Sequence, residues 1–248
     1  MPNVLRTLLA PVLLVQGKRM FRSMPKLRPP TGEPTGTRGD GPPLRLLVTG
    51  DSSAAGFGAE TQDDALLGRI VARLAETNTV TWDLAARFGS TTPKTLSYLC
   101  KREPEPFDVA VVALGLNDVI AGTPRRDWMA AYRDLAAVLR DWYDVAHIVA
   151  SGLPPVSEFP AIPQPLRWVL GRQAREYDEA LEAWADGEED VSYVGLRVSI
   201  EEAIGRDVPI EEVMSDDGFH PGPKVYDEWA RRAVEAIRAS HAVSQQAA

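Results

Sequence analysis

Residues 46–56, LLVTGDSSAAG, read as the end of a buried strand running into a tight turn, with Ser52 just past the point where the strand stops. Leu46, Leu47 and Val48 close an apolar run that begins at Leu44, and Gly50 allows the backbone conformations a sharp turn needs. A serine so placed stands at the carboxyl end of a strand, where open α/β sheets hold their ligands. Gly50-Asp51-Ser52 would also suit a plain turn or a helix cap. The meaning of the stretch therefore depends on what the rest of the chain brings to it.

On either side the chain alternates strand and helix. Residues 63–76 carry Leu66, Leu67, Ile70, Val71 and Leu74 on one helical face, and 79–86 (TVTWDLAA) read as a strand ending at Arg87-Phe88-Gly89-Ser90. A short helix is expected from Thr92 to Cys100. The run 107–114, FDVAVVAL, is continuously apolar, as in a parallel sheet covered on both faces, and ends at Gly115-Leu116-Asn117-Asp118. Thr123-Pro124 opens a helix whose stripe of Trp128, Tyr132, Leu135, Leu139 and Trp142 is expected to face the core. Strands at 146–151 and 191–196 follow, the first opening into a proline-rich segment from Leu153 to Leu170 with Phe159, Ile162 and Trp168, and then a helix to about Asp186. A turn at 216–222, DDGFHPG, leads to a last helix from Pro223. This order predicts a five-stranded parallel sheet with right-handed crossovers and helices on both faces.

The chain has 248 residues, 44% hydrophobic and 25% charged, which suits one globular domain with tails. The formal net charge of -8 gives no field that would recruit nucleic acid. One cysteine, Cys100, rules out an internal disulfide, and three histidines with one cysteine make a metal centre improbable. The local basic cluster lies at the N-terminus, where six lysines and arginines and no acid stand between Met1 and Thr31. Its apolar part, Leu8 to Val15, is interrupted by Pro11 and is far shorter than the ~20 residues of a membrane span. Most of its basic residues follow the apolar part and no A-x-A-like site comes after it, a poor match to a secretory signal. Residues 1–28 are expected to dock on the body or to lie on an anionic membrane surface, giving a cytoplasmic or peripheral-membrane protein, with secretion as the less favoured alternative. Residues 29–43, PPTGEPTGTRGDGPP, read as a linker. The expected organisation is an arm and linker over 1–43, a domain over 44–240 and a disordered tail over 241–248. The oligomeric state is left open.

In a parallel sheet the turns at Ser52, Gly89 and Asn117 leave the same edge and can converge. They would bring a nucleophile, a backbone N–H unobstructed by a side chain and an amide donor. Acyl transfer needs that combination, because the attacked carbonyl oxygen becomes an anion. Each residue alone also fits a plain structural role, Gly89 as a turn glycine and Asn117 as a helix cap. A serine nucleophile further needs a base. His147 falls inside a strand and His241 in the tail, whereas His220 stands in a loop with Asp217 three residues before it, the spacing of an acid that orients a histidine; Asp216 competes for that role.

Taken together, G-D-S at 50–52, the isolated Gly89, G-x-N-D at 115–118 and D-x-x-H at 217–220 resemble the four sequence blocks of the SGNH hydrolases of the GDSL esterase/lipase family, over about Leu44 to Ala239. The resemblance implies a flavodoxin-like three-layer α/β/α domain and a carboxylic-ester hydrolase that needs no cofactor or metal. It assigns Ser52 as nucleophile, His220 as base and Asp217 as the residue that orients it, with the amides of Ser52 and Gly89 and the side chain of Asn117 as oxyanion hole. Ser53 stands where the family name has leucine. The arm lies outside the match. No G-x-S-x-G elbow occurs, which argues against an ordinary α/β-hydrolase.

The expected substrate is a small-molecule ester. The prolines of the 153–170 segment and Pro221 limit how far the loops around the site can open, which favours a rigid, shallow acyl pocket with Phe159, Ile162 and Trp168 in its wall and a preference for short acyl chains. A lysophospholipase, a thioesterase or a carbohydrate O-deacetylase would use the same constellation. A non-catalytic flavodoxin-like binding module is the rival from another class; the first turn has neither G-x-G-x-x-G nor a P-loop lysine.

Overall fold

The computed structural model, which describes residues 3–197 and 213–246, is built on one mixed sheet. Its strands are β1 (Thr35–Arg38), β2 (Pro43–Gly50), β3 (Thr79–Ala86), β4 (Val109–Ala113), β5 (His147–Ser151) and β6 (Val191–Val194), in the order β1-β3-β2-β4-β5-β6. The helices are α1 (Asn3–Ser23), α2 (Leu66–Leu74), α3 (Thr92–Leu99), α4 (Leu116–Ala121), α5 (Arg125–Tyr143), α6 (Leu166–Ala185) and α7 (Pro223–Gln246).

Every residue of β4 is buried, and its side chains alternate between two cores. Val109 and Val111 join Leu46 and Val48 of β2 against α2 and α7, where Leu66, Leu67, Ile70, Val71 and Leu74 meet Tyr226, Trp229, Ala233 and Ile237. Ala110 and Val112 join Leu47 and Ile148 against α3, α5 and α6, around Trp128, Tyr132 and Leu181. Period-2 alternation in the strands thus divides the apolar residues between two helical layers, and the result is the three-layer α/β/α architecture.

In the sheet and the helices packed on it, four details differ from the sequence reading. The sheet has six strands, because β1, inside the segment read as a linker, adds to the free edge of β3 in antiparallel register from Thr35↔Asp83 to Arg38↔Val80. Four residues among prolines and glycines are too few to show a period. In α5 the inner stripe ends on Tyr143, 1% exposed and donating its hydroxyl to the Leu99 carbonyl, while Trp142 is 50% exposed. The step after Leu139 is four residues, not three. α6 begins at Leu166, within the segment read as irregular. α7 continues to Gln246, through most of the expected tail, and residues 247–248 lie outside the described residues.

α1 is longer than the apolar stretch suggested and runs through Pro11. It docks on α6: Met20 is buried, and the Gln16 side chain donates to the Gln164 carbonyl and accepts from the Leu166 amide. Val12, Leu14, Val15 and Phe21 remain exposed. No helix among the described residues is long and apolar enough to cross a membrane.

Candidate active site

The sheet register brings the strand ends into one row. Gly50 pairs with Ala86 on one side and Ala113 on the other, and Ala113 pairs with Ser151, so the residues that follow all leave the sheet along a single edge. At the first of these exits Gly50 has φ 155°, and a Cβ there would lie 2.2 Å from the Ala113 carbonyl oxygen. A side chain is sterically excluded. The chain then turns sharply, the Asp51 amide donating to Ala113 O at 3.1 Å, and Ser52 follows, 6% exposed.

His220 comes from the loop before α7. Its Nε2 lies 2.9 Å from Ser52 Oγ and its Nδ1 lies 2.6 Å from Asp217 Oδ2. The other carboxylate oxygen, Asp217 Oδ1, accepts from the Phe219 and His220 amides, each at 2.9 Å, and from Ser215 Oγ at 2.7 Å. Burial alone would raise this carboxyl. The hydrogen bonds from the His220 ring and backbone, its charge interaction with that ring, and the bond from Ser215 outweigh burial and hold it down at about 2. Asp216, the competing acid, is exposed. His147 sits at the start of β5, the opposite edge of the sheet, with Nε2 2.9 Å from Ser192 Oγ.

Asn117 occupies the first turn of α4, and its Nδ2 donates to Asp51 Oδ2 at 3.2 Å and to the Ser90 carbonyl at 3.1 Å. Gly89 stands beside that carbonyl with φ 66°, and the space where its Cβ would project is open. The three turns from the ends of β2, β3 and β4 are thus tied together through Asp51, Ser90 and Asn117. Below them Asp118, fully buried, accepts from the amide and hydroxyl of Thr92, whose Oγ1 also accepts from Trp128 Nε1, anchoring the start of α3.

Aromatic rings enclose the histidine. Phe57 and Phe88 pack on each other at 4.9 Å, each ring is 6.0 Å from that of His220, and Phe219 is 5.3 Å from it on an edge-to-face approach. Phe88 is 65% exposed and marks the mouth of the site.

Of the three residues expected in a pocket wall, only Phe159 borders a cavity beside the Ser52 turn. Phe159 packs edge-to-face on Phe219 at 5.5 Å and lines a small apolar cavity of about 50 Å³ that is bordered by Asp51, Ser53, Leu116, Leu153 and Pro221. Ile162 is fully buried in the α3/α5/α6 core, and Trp168, 46% exposed, stands on α6. Trp168 is carried away from the wall because α6 starts earlier than the proline run implies, and Ile162, ahead of that helix, turns into the core.

The sequence reading missed Asp51. Its carboxyl is buried next to the Ser53 amide, which donates at 2.9 Å, and burial pushes it up to about 6. The signal was present in the motif itself, since an acid beside a buried serine must be accommodated by donors. Among the described residues no group of three or more histidines, cysteines and acids is placed to hold a metal ion.

An arrangement of carboxylate, imidazole and hydroxyl in hydrogen-bonded series, next to convergent N–H donors, can deprotonate the hydroxyl as it attacks a carbonyl carbon. Comparison with known structures agrees with the fold. A lipolytic protein of the G-D-S-L family from Veillonella parvula is 15% identical, with 78% of this chain and 98% of that chain covered and a TM-score of 0.58. A carbohydrate acetylesterase family member from Sinorhizobium meliloti is 18% identical, with 79% and 98% covered and a TM-score of 0.57. The esterase EstA from Pseudoalteromonas, in a structure inhibited by monoethylphosphonate, is 15% identical, with 79% and 99% covered and a TM-score of 0.55. No curated protein matches by sequence. The model of the GDSL-like lipase/acylhydrolase family matches residues 48–228, and the chain belongs to that family.

Proposed function

We propose that this protein is a serine carboxylesterase acting through an acyl-enzyme on Ser52, with a preference for short acyl chains. The observation that carries the reading is the unbroken series Asp217–His220–Ser52, at 2.6 and 2.9 Å, in a chain of a hydrolase family. With Asp217 accepting the Nδ1 proton, Nε2 presents its lone pair to the Ser52 hydroxyl. As Ser52 Oγ bonds to the ester carbon, its proton passes to Nε2 and the carbonyl oxygen takes the negative charge. The Ser52 and Gly89 amides and Asn117 Nδ2 stabilise that oxyanion. Collapse expels the alcohol, which takes the proton from Nε2. Water then repeats the sequence on the acyl-enzyme and releases the carboxylic acid.

The chain-length preference rests on the cavity beside Asp51 and Ser53. By its volume of about 50 Å³ it has room for roughly four water-sized groups. Each methylene that enters is worth about 0.8 kcal/mol, and the gain stops when the space is full.

The test combines labelling with a substrate series. A fluorophosphonate should modify Ser52 in wild type and nothing in Ser52→Ala. With p-nitrophenyl esters, kcat/KM should peak between acetyl and hexanoyl, and thioesters and acetylated sugars in the same panel identify the leaving group. Labelling at another serine overturns the site, and a steady rise to palmitoyl overturns the chain-length preference.

A further inference from the structure

A groove of about 640 Å³ begins at the turn that carries Gly89 and runs along α3. It is lined by Arg87, Phe88, Gly89 and Ser90 at one end, by Lys94 and Tyr98 along the helix, and by Lys101 and Arg102 in the turn after it. Four of these residues are cationic and none is acidic, on a chain whose formal charge is -8. Arg102 is paired with Asp83, and the guanidinium of Arg87 lies 3.5 Å over the ring of Tyr98. Stacking of that kind fixes the plane of the guanidinium while leaving its edge N–H groups free to bond. Lys94 on α3 and Lys101 in the turn that follows it are exposed, and no acid stands within 4.0 Å of either ammonium among the described residues. Glu103 and Glu105 follow in the next loop without lining the groove.

The groove and the apolar cavity share no lining residue, yet both border the proposed reaction centre, the groove at Gly89 and Ser90 and the cavity at Asp51, Ser53 and Leu116. An ester held with its carbonyl oxygen at Gly89 and Asn117 would send its short acyl group toward the cavity, leaving the alcohol to the groove. We propose that the groove is the leaving-group subsite and that the substrates are short-chain acyl esters of alcohols bearing an anionic group, a phosphate or a carboxylate, which Arg87, Lys94 and Lys101 bind. Planar N–H pairs and ammonium donors are the groups that recognise such anions. This rests on the esterase reading above and adds the class of alcohol.

The test compares three soluble esters with one acyl group: 1-butyrylglycerol, 1-butyrylglycerol 3-phosphate and O-butyrylglycolate. In wild type at low salt kcat/KM should favour an anionic ester over the neutral one by about tenfold, with the advantage shrinking as salt is added. Whichever of the phosphate and carboxylate esters is preferred identifies the anion. In the triple variant Arg87→Gln, Lys94→Gln, Lys101→Gln the ratio should fall to within about twofold of unity. Lys94→Gln and Lys101→Gln singly serve if the triple variant is unstable, each lowering the ratio. Equal use of all three esters by wild type, or a ratio untouched by the variants, overturns the proposal. If none of the esters is hydrolysed, the esterase reading fails separately, and calorimetric titration of Ser52→Ala with 1-butyrylglycerol 3-phosphate decides the groove: binding abolished by the same lysine and arginine substitutions upholds it, and absence of binding overturns it.

Discussion

The side-chain amide of Asn117 lies 3.2 Å from the carboxylate of Asp51, the residue immediately before Ser52. A second bond, to the Ser90 carbonyl at 3.1 Å, fixes the same nitrogen from the side of the Gly89 turn. These two acceptors take both N–H groups of the amide and fix its position beside Ser52, so donation to an oxyanion requires one of the two bonds to be given up as the substrate's charge develops. Asn117→Ala should lower kcat on the order of 10²-fold with little change in KM. A rise in KM with kcat intact would mean that Asn117 binds ground-state substrate and not the oxyanion.

Asp51 makes a prediction about pH and stability. Burial raises its carboxyl to about 6, so the folded state holds a proton that the unfolded state releases near 3.9, and stability falls as pH rises between those values. The cost of ionising this side chain in the fold is about 3 kcal/mol above pH 6. Asp51→Asn removes the titration, so denaturant unfolding should show the variant gaining on wild type as pH goes from 4 to 7. The same substitution leaves a single oxygen to serve both the Ser53 amide and Asn117, so kcat should fall even where the protein is more stable. A stability difference independent of pH would refute the assignment.

Asp217 has the opposite sign. Its carboxyl is held at about 2, below the unfolded value, so it contributes stability that is present above pH 4 and lost as pH falls toward 2. The contribution is about 2.5 kcal/mol. Asp217→Asn should lose this acid-side slope and, because the Nδ1 proton would no longer be held on an anionic acceptor, should lower kcat by several orders of magnitude, about 10⁴-fold in the serine-protease case. Wild-type turnover in Asp217→Asn would remove it from the site.

Two glycines of the same edge should respond differently to alanine. At Gly50 the new Cβ would stand 2.2 Å from the Ala113 carbonyl oxygen at the end of the neighbouring central strand, so Gly50→Ala should fail to fold or should melt far below wild type. At Gly89 there is room, and the cost is the left-handed backbone alone, about 1–2 kcal/mol. Gly89→Ala should therefore fold, lose a few degrees in melting temperature, and lose kcat because relaxing φ swings the amide away from the oxyanion. A folded variant with full kcat would leave Gly89 as a turn residue.

Much of this site was legible because each element has a local signature. Ser52, Gly89 and Asn117 each stand where an apolar run meets a glycine turn, and parallel strand order alone brings such turns to one edge. Asp217 and His220 were legible from their three-residue spacing, and the structure decides for Asp217 over Asp216 by burying one and exposing the other. What escaped has no local signal. β1 exists because β3 offers an unpaired edge, a fact about a partner strand more than 40 residues away. The groove cations Arg87, Lys94, Lys101 and Arg102 are scattered among neutral residues, and only the turns on either side of α3, with Lys94 on the helix between them, bring them together; in sequence the one visible basic cluster is the N-terminal arm.

The placement of β1 changes where the catalytic unit is expected to begin. Residues 29–43 were read as a linker, yet Thr35 to Arg38 pair with β3, Thr37 Oγ1 meets Thr81 Oγ1 at 3.1 Å, and the Thr31 amide and carbonyl bond Glu60 O and the Gln62 amide. α1 is attached more lightly, through Met20, Leu13 and the two bonds of Gln16. We expect deletion of residues 1–28 to leave a folded protein with near-wild-type kcat, because every hydrogen bond named for the site lies between Asp51 and His220. Deletion of residues 1–43 exposes the full edge of β3, with its unpaired N–H and C=O groups, and should lower the melting temperature and promote association. Thermal melts and size-exclusion profiles of the two truncations test this. If the shorter deletion collapses and the longer one behaves no worse, α1 and not β1 is what the domain requires.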